Sequence, residues 1–503
     1  TILPGSYGTL YGNQAVAGVV NINTHVPGKR ELYAGFGLGN LSQRQANFFY
    51  SERFPSKIGV SLGGFVSHTH HYLPHNREDQ YDLNAKVDYV GQSDHVSLNL
   101  LAYQTDIELP DAWSWYTDKV FKSFSNDTVN SYALYATNQW FINNSWQWDT
   151  QSLWLNSLDT SNFLSSKQTQ QSVLLNNQWH YRQLFVGGID TEYGQYQSLN
   201  TMVNNHAYEN TADAFGQLTI PLPEGFHFIV GGRIAKQWFS ASAKTIDHTF
   251  ADSQVFVNEE GLTWQPSAPW DFYIKRDTNY RFAKGNEKIW TDSNIKNLQT
   301  QTGTAYEVGV KWHENGDALS VGAYQLDLDN ELAYTPLPPP FGKMSNLPPT
   351  RRLGVDIAGR LWLNSHWSTA GQVSVVKPTI RSGAYRGSQI PGVSPFKAGA
   401  VLTYSNVHNW HVSLTETYHS RFYASDDFAN NGATMPDYFI TNINFRKVWH
   451  RVTVNLQIDN VFDNHYVRYA DYFADSSGKQ TIEYYPADGI TGLLSVEFNL
   501  DGG

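Results

Sequence analysis

The chain has 503 residues, 41% hydrophobic and 15% aromatic, with only 16% charged residues and a formal net charge of -11. With no cysteine it can form neither a disulfide nor a thiolate metal site, and an acidic balance without a basic run argues against a nucleic-acid partner. A mean hydropathy of -0.45 and the lack of any apolar run of about 18 residues exclude a helical membrane protein.

Length alone suggests about three domains, yet no composition break or charged linker divides the chain, so its elements read as one series. The series starts with Pro4-Gly5-Ser6-Tyr7 and LYGNQAVAGVVNI (10–22), ahead of a first strand expected near 32–39. Further on, Tyr81, Leu83, Ala85, Val87 and Tyr89 alternate with Asp82, Asn84, Lys86 and Asp88. Trp410, Val412 and Leu414 alternate with His411, Ser413 and Thr415. The alternation is most complete in RVTVNLQIDNVFDNHY (451–466), where Val452, Val454, Leu456 and Ile458 interleave with Thr453, Asn455, Gln457 and Asp459. Strand side chains point to opposite faces with period two, so each of these segments has one apolar and one polar face. Reading such runs between turn residues gives about 22 strands, the last near 490–500.

The connections carry as much information as the strands. Short turns are expected at 55–56, 91–94, 143–145, 223–225, 314–317 and 405–408. Between them lie longer polar segments at 70–79, 108–127, 160–170, 199–206, 242–253, 284–300, 333–347, 381–394, 423–436 and 467–488. A soluble sandwich has no physical reason to sort its connections by parity; outer-membrane barrels do, with tight periplasmic turns and long extracellular loops. The expected fold is therefore all-β, a transmembrane antiparallel β-barrel of about 22 strands with apolar residues facing lipid and polar residues facing the lumen. Trp140, Trp146 and Trp449, at short turns, suit an inner aromatic girdle. Membrane sheets must close, because unpaired amides in hydrocarbon are costly, and a lumen of this size is too wide for side chains to fill and is expected to be plugged.

Residues 4–22 resemble the end of the plug domain of TonB-dependent outer-membrane receptors, where a Tyr-Gly step leads into a Gly-Gly-Val-Ile-Asn-Ile type strand. Similar elements follow in order: NLQTQTGTAYEVGVKW (297–312) with Glu307, TRRLGVDI (350–357), Asn-Val-Phe-Asp-x-x-Tyr (460–466) and YYPADG (484–489). The resemblance implies an end of plug over 1–28 and a barrel over 29–503, in a chain truncated before its TonB box and plug apex. It also implies TonB-energised import of a scarce, bulky ligand across a Gram-negative outer membrane, a ferric siderophore being the first choice. Copper or another metal complex, cobalamin, haem, or a passive porin are the alternatives. Implied partners are TonB, a small-molecule metal chelate, and the lipid and lipopolysaccharide around a monomer.

Four features of the sequence bear on chemistry. Trp113, Trp115 and Tyr116, with Phe121, fall in one extracellular segment and suit a ligand surface. His68, His70, His71 and His75 cluster in HTHHYLPH, and His68 and His70 share a strand face, where imidazoles suit copper or zinc. Arg351, beside Arg352, offers a guanidinium for a ligand carboxylate or phosphate, although only one of two adjacent residues can face the lumen. Gly35, Gly37 and Gly39 lack dinucleotide-loop spacing and are expected to let plug backbone approach the wall. No carboxylate pair or Ser-His-Asp order stands in a catalytic context, so the chain reads as a non-enzyme with no cofactor.

Overall fold

The alternating segments can satisfy their backbone amides in lipid only by pairing along their full length, and they do so by closing into one antiparallel barrel of 22 strands. The computed structural model describes residues 2–110, 113–114, 124–162, 165–200, 204–243, 246–289, 298–335, 343–474 and 480–501. The first barrel strand, Glu31–Gly39, pairs with the last, Thr491–Asn499, with Ala34 opposite Phe498 and Leu38 opposite Leu494. No edge is left open. Among the described residues no helix is long and apolar enough to cross a membrane; the crossing is made by strands.

Exposed apolar side chains follow the period-two rule around the whole wall. Leu98 and Leu100 on one strand and Leu353, Val355 and Ile357 on another are exposed, while the alternate positions line the lumen. Trp140, Trp146, Trp264, Trp270, Trp362, Trp367 and Trp449 are exposed at the short-turn end and form the inner girdle. The expected turns fall between strands; one of them, Pro223–Gly225, is a 3-10 turn with Glu224 at φ 61.

Several of the longer segments turn out to contain strand, and two of them continue wall hairpins. The hairpin of Trp146–Ser161 and Ser166–Tyr181 pairs down to Ser161 opposite Ser166, and Phe185–Leu199 pairs with Asn204–Pro221 down to Leu199 opposite Asn204. Among the described residues, segments 160–170 and 199–206 are therefore mostly strand. Above the membrane both faces of a strand are wet, so polar residues there are no sign of a loop. This sector, from Asp94–Pro110 to Phe226–Ala243, has strands of 15 to 18 residues, whereas Val452–Asp459 and Thr491–Asn499 have 8 and 9.

The Asn-Val-Phe-Asp element ends a strand. Asn460 and Asp463 both take positive φ, a conformation that Asn and Asp tolerate. The Asn464 N–H donates to Asn460 Oδ1 at 2.9 Å and the Ile490 N–H to Asp463 Oδ1 at 2.8 Å. These bonds tie the turn to the start of the last strand. The glycine stripe departs from expectation. A Cβ at Gly35 would meet Asn47 Oδ1 at 2.5 Å and one at Gly39 would meet Gly492 O at 2.4 Å, so these glycines accommodate neighbouring strands rather than an inserted segment.

Candidate functional site in the lumen and at its outer mouth

Residues 2–20 lie inside the barrel. Ile2–Pro4 and Gly18–Val20 pair antiparallel, and between them Gly8–Tyr11 makes one helical turn. Two groups of luminal side chains hold this segment, each presented by alternate positions of long strands. In the first, the Ser6 hydroxyl donates to Asp277 Oδ1 at 2.7 Å and accepts from Asn279 Nδ2 at 2.9 Å. The Ser6 N–H donates to Glu307 Oε1 at 3.1 Å, and Lys275 Nζ donates to the Ser6 carbonyl. The same ammonium stands 4.0 Å from the centre of the Tyr7 ring, a cation–π contact. Burial, then the Glu307 carboxylate, push the Tyr7 phenol above its usual range.

The second group centres on Arg233, which is 1% exposed. Its Nε donates to the Thr9 carbonyl at 2.9 Å and Nη2 to the Leu10 carbonyl at 3.0 Å. These carbonyls belong to the end of the helical turn, where no intrahelical donor is available. Nη1 pairs with Asp190 at 2.7 Å and Asp213 at 3.0 Å, and the Tyr280 hydroxyl donates to Asp213 at 2.8 Å. Three glycines make the approach sterically feasible. A Cβ at Gly8 would lie 2.5 Å from the Thr278 carbonyl oxygen. Gly5 and Gly12 take φ of 105 and 68 against Glu307 and Arg233. The apolar share is small: Val16 packs on Ala305, Leu326 and Leu328.

An outer connection folds down onto this segment. The Phe282 N–H donates to Asn13 Oδ1 at 2.9 Å, and Ile289, at the end of the short helix Gly285–Ile289, packs with Tyr196, Ala207, Phe239 and Ala241. Lys284 reaches Glu192 at 3.3 Å and Glu209 at 3.4 Å. Lys288 is buried, donates to Gln237 Oε1 at 2.9 Å and sits 4.3 Å from the Phe239 ring centre. Burial lowers its pKa to about 8, opposed by Glu209, Asp252 and Glu287. A cavity of about 510 Å³ opens beside it, bounded by 250–254 and 298–300. The sequence predicts a polar loop over 284–300, and its apolar residues, among them Ile289 and the buried Leu298, are the local hints of an inward course.

At the outer mouth, Phe422, Met435, Val467 and Ala470 form a buried cluster under Tyr438, Tyr472, Ile482 and Tyr484. The hairpin of Val467–Ala474 and Gln480–Pro486 gains a third strand from Trp113–Ser114, with Trp113 opposite Tyr484. Trp113 thus joins the tyrosine-bearing hairpin through its backbone, while Trp115, Tyr116 and Phe121 lie outside the described residues.

The basic and histidine candidates are placed as follows. Arg351 lies opposite Asp327 and pairs with it through Nε at 2.6 Å and Nη2 at 2.9 Å. It shares the outward face of Leu353 and Val355, so it is a wall residue at the outer rim. Arg352, opposite the buried Leu326, takes the luminal face and is paired with Glu331 at 2.6 Å. The rings of His68 and His70 are 4.9 Å apart, but His68 Nδ1 is bonded to Asp79. Among the described residues no group of three or more His, Cys, Asp or Glu is arranged to hold a metal ion. His71 bridges Asp488 at 2.8 Å and Glu78 at 3.3 Å.

Comparison with known proteins adds to this geometry. A family profile described as "TonB dependent receptor-like, beta-barrel" matches residues 35–461. The vitamin B12 transporter BtuB of Photobacterium profundum is 24% identical over 362 residues, covering 67% of this chain and 54% of its own length. The chain thus spans about half the length of that curated relative. The siderophore receptor PiuA from Acinetobacter baumannii superposes with a TM-score of 0.84 at 12% identity, over 99% of this chain and 85% of PiuA. The copper transporter OprC superposes with a TM-score of 0.80 at 13% identity, over 99% and 85%. At these identities the structural likeness speaks for the fold alone.

Proposed function

This chain belongs to the TonB-dependent receptor-like β-barrel family of the Gram-negative outer membrane, and from that premise we propose that it imports a bulky ligand, a ferric siderophore, with TonB supplying the work. Residues 1–28 are the end of a plug and 29–503 the barrel. The observation that carries this reading is the polar seat of residues 6–10 on Asp277, Asn279, Glu307, Lys275 and Arg233.

Such a seat suits a segment that must be held and then displaced. Five of these six hydrogen bonds involve an ionised side chain and are worth roughly 1.5–3 kcal/mol each net, the sixth, from Asn279, roughly 0.5–1.5, because water takes their place when they break. An apolar seat would instead expose its whole face to a wet lumen on opening. A ligand in the mouth cannot shift the segment beyond its own differential affinity for the two states, so force applied through the plug supplies the rest. The relatives' recorded cargoes, vitamin B12, siderophore and copper, bound the choice, and a tyrosine-lined mouth with Trp113 at its edge favours a planar, aromatic chelate. Trp113, Trp115 and Tyr116 are assigned to ligand contact; His68 and His70 remain the copper alternative.

The test is calorimetry on the full-length receptor with ferric siderophores, cobalamin, haem and Cu²⁺. The expected result is sub-micromolar binding of a ferric siderophore, weakened by Trp113→Ala and Trp115→Ala, with uptake in cells lost when TonB is deleted. Binding of Cu²⁺ alone, abolished by His68→Ala with His70→Ala, would replace the siderophore assignment. Steady ion conductance by the full-length protein in planar bilayers would replace import by passive diffusion.

A further inference from the structure

Lys288 is a buried luminal cation without an anion of its own. The residue is 2% exposed, and its ammonium meets the neutral Gln237 Oε1 at 2.9 Å and the Phe239 ring at 4.3 Å. Among the described residues no carboxylate stands within ion-pair distance of it. The carboxylates nearby are engaged elsewhere. Glu209 holds Lys284 Nζ at 3.4 Å and the Gly285 N–H at 3.1 Å. Glu287 holds Arg281 and, at 2.9 Å, the Lys284 N–H. Asp252 differs from both: it is exposed and has no partner among the described residues.

A buried charge left unpaired is costly, and proteins as a rule pair it or hydrogen-bond it fully. An ammonium carries three donors, and Gln237 takes one of them. The others have the cavity of about 510 Å³ beside Lys288, a volume within the range of about 300–1,000 Å³ usual for small-molecule sites. Its polar lining is Asp252, Ser253, Gln254, Gln299 and Thr300. Water in this space satisfies the donors but leaves the charge uncompensated. An anion does both.

We propose that this cavity is a luminal subsite for an α-hydroxycarboxylate group, with the carboxylate on Lys288 and the neighbouring hydroxyl donating to Asp252. Charge selects the carboxylate, since one ammonium balances one negative charge, whereas a phosphate dianion would set a second charge against Asp252. The hydroxyl follows from the lining: Asp252 accepts only, and Ser253, Thr300 and the two glutamines both donate and accept. An aromatic ring would leave these groups unpaired, so the planar part of a chelate stays at the tyrosine-lined mouth. This inference deepens the import reading and rests on it for what carries the group inward: a ferric chelate with an α-hydroxycarboxylate arm.

The experiment uses the full-length receptor in detergent, in chloride-free buffer, with calorimetry of L-lactate and of propionate, which lacks only the hydroxyl. One lactate is expected per chain, bound about tenfold more tightly than propionate, as a hydrogen bond to a charged group implies. Lys288→Met keeps the unbranched stem against Phe239 and should weaken lactate at least tenfold. Asp252→Ala, at an exposed position, should bring lactate and propionate to equal affinity with the fold untouched. In cells, Lys288→Met should lower TonB-dependent uptake of a ferric chelate bearing an α-hydroxycarboxylate about tenfold and leave that of its methyl ester unchanged. Equal binding of lactate and propionate by the original chain would overturn the proposal, as would lactate binding indifferent to Lys288→Met or to Asp252→Ala. Chloride or phosphate bound as tightly as lactate would make this a site for an adventitious ion only. Lactate bound at Lys288 by a receptor that imports no ferric chelate would leave the subsite standing and remove the import reading; import without lactate binding would do the reverse.

Discussion

Arg233 ties three distant parts of the chain together: two strand carboxylates, Asp190 and Asp213, and the carbonyls of Thr9 and Leu10. Removing one partner of a buried ion pair leaves an uncompensated charge, at a cost of about 3–5 kcal/mol. Arg233→Leu is therefore expected to lower unfolding stability in detergent by that order, while Asp190→Asn with Asp213→Asn and Arg233→Leu together should recover part of the loss. Gly8 tests the seat without touching a charge. In Gly8→Val the new Cβ would meet Thr278 O at 2.5 Å and Asn279 Cα at 2.8 Å, both backbone atoms that cannot swing aside. The expected outcome is an intact barrel whose residues 2–22 become sensitive to protease. Neither residue stood out in the sequence. Ser6 and Asp277 are 271 positions apart, and period two says only that position 277 faces inward, not what it meets.

Among the elements, the outer connection 70–77 is tethered to the turn before the last strand by His71 and Asp488, and the Tyr72 N–H donates to Asp488 Oδ1 at 2.7 Å. The hydrogen bond to Asp488 raises His71 above its ordinary 6.5, against burial and with help from Glu78. Burial works against the Asp488 carboxylate, but His71, the Tyr72 N–H and Arg468 outweigh it and hold it below its usual 3.8. A raised histidine contributes fully below its unfolded value and fades as pH rises through its folded one; a depressed carboxylate contributes above its unfolded value and fades as pH falls. Protection of the Tyr72 amide from hydrogen exchange should therefore be greatest between 3.8 and 6.5 and decline above that window. His71→Ala should flatten the alkaline decline; a decline of the same size without the imidazole would remove His71 as its cause. The histidine run was legible as a cluster, but its partners come from the far end of the chain.

For the whole molecule, closure and facing decide stability. A cation placed on the lipid face near mid-height costs about 2–4 kcal/mol, whereas one in a wet lumen changes little. Ile357→Arg, on the outward face, is expected to destabilise the barrel in lipid vesicles by that amount. Gln372→Arg, exposed on the luminal face of the neighbouring strand, should stay within about 0.5 kcal/mol, as surface changes usually do. Equal effects at both positions would contradict the assignment of faces. The strand pattern, the aromatic girdle, the first and last wall strands and the parity of the short turns were all legible in the sequence, because each depends on local alternation against a planar, layered solvent. Three things awaited the tertiary structure. Arg352 rather than Arg351 faces the lumen, since a single residue of register exchanges the faces. The connection after Arg281 turns inward, and Ser6 finds Asp277 and Arg233 the end of the Gly8–Tyr11 turn, because contacts across a lumen join residues that no local period relates.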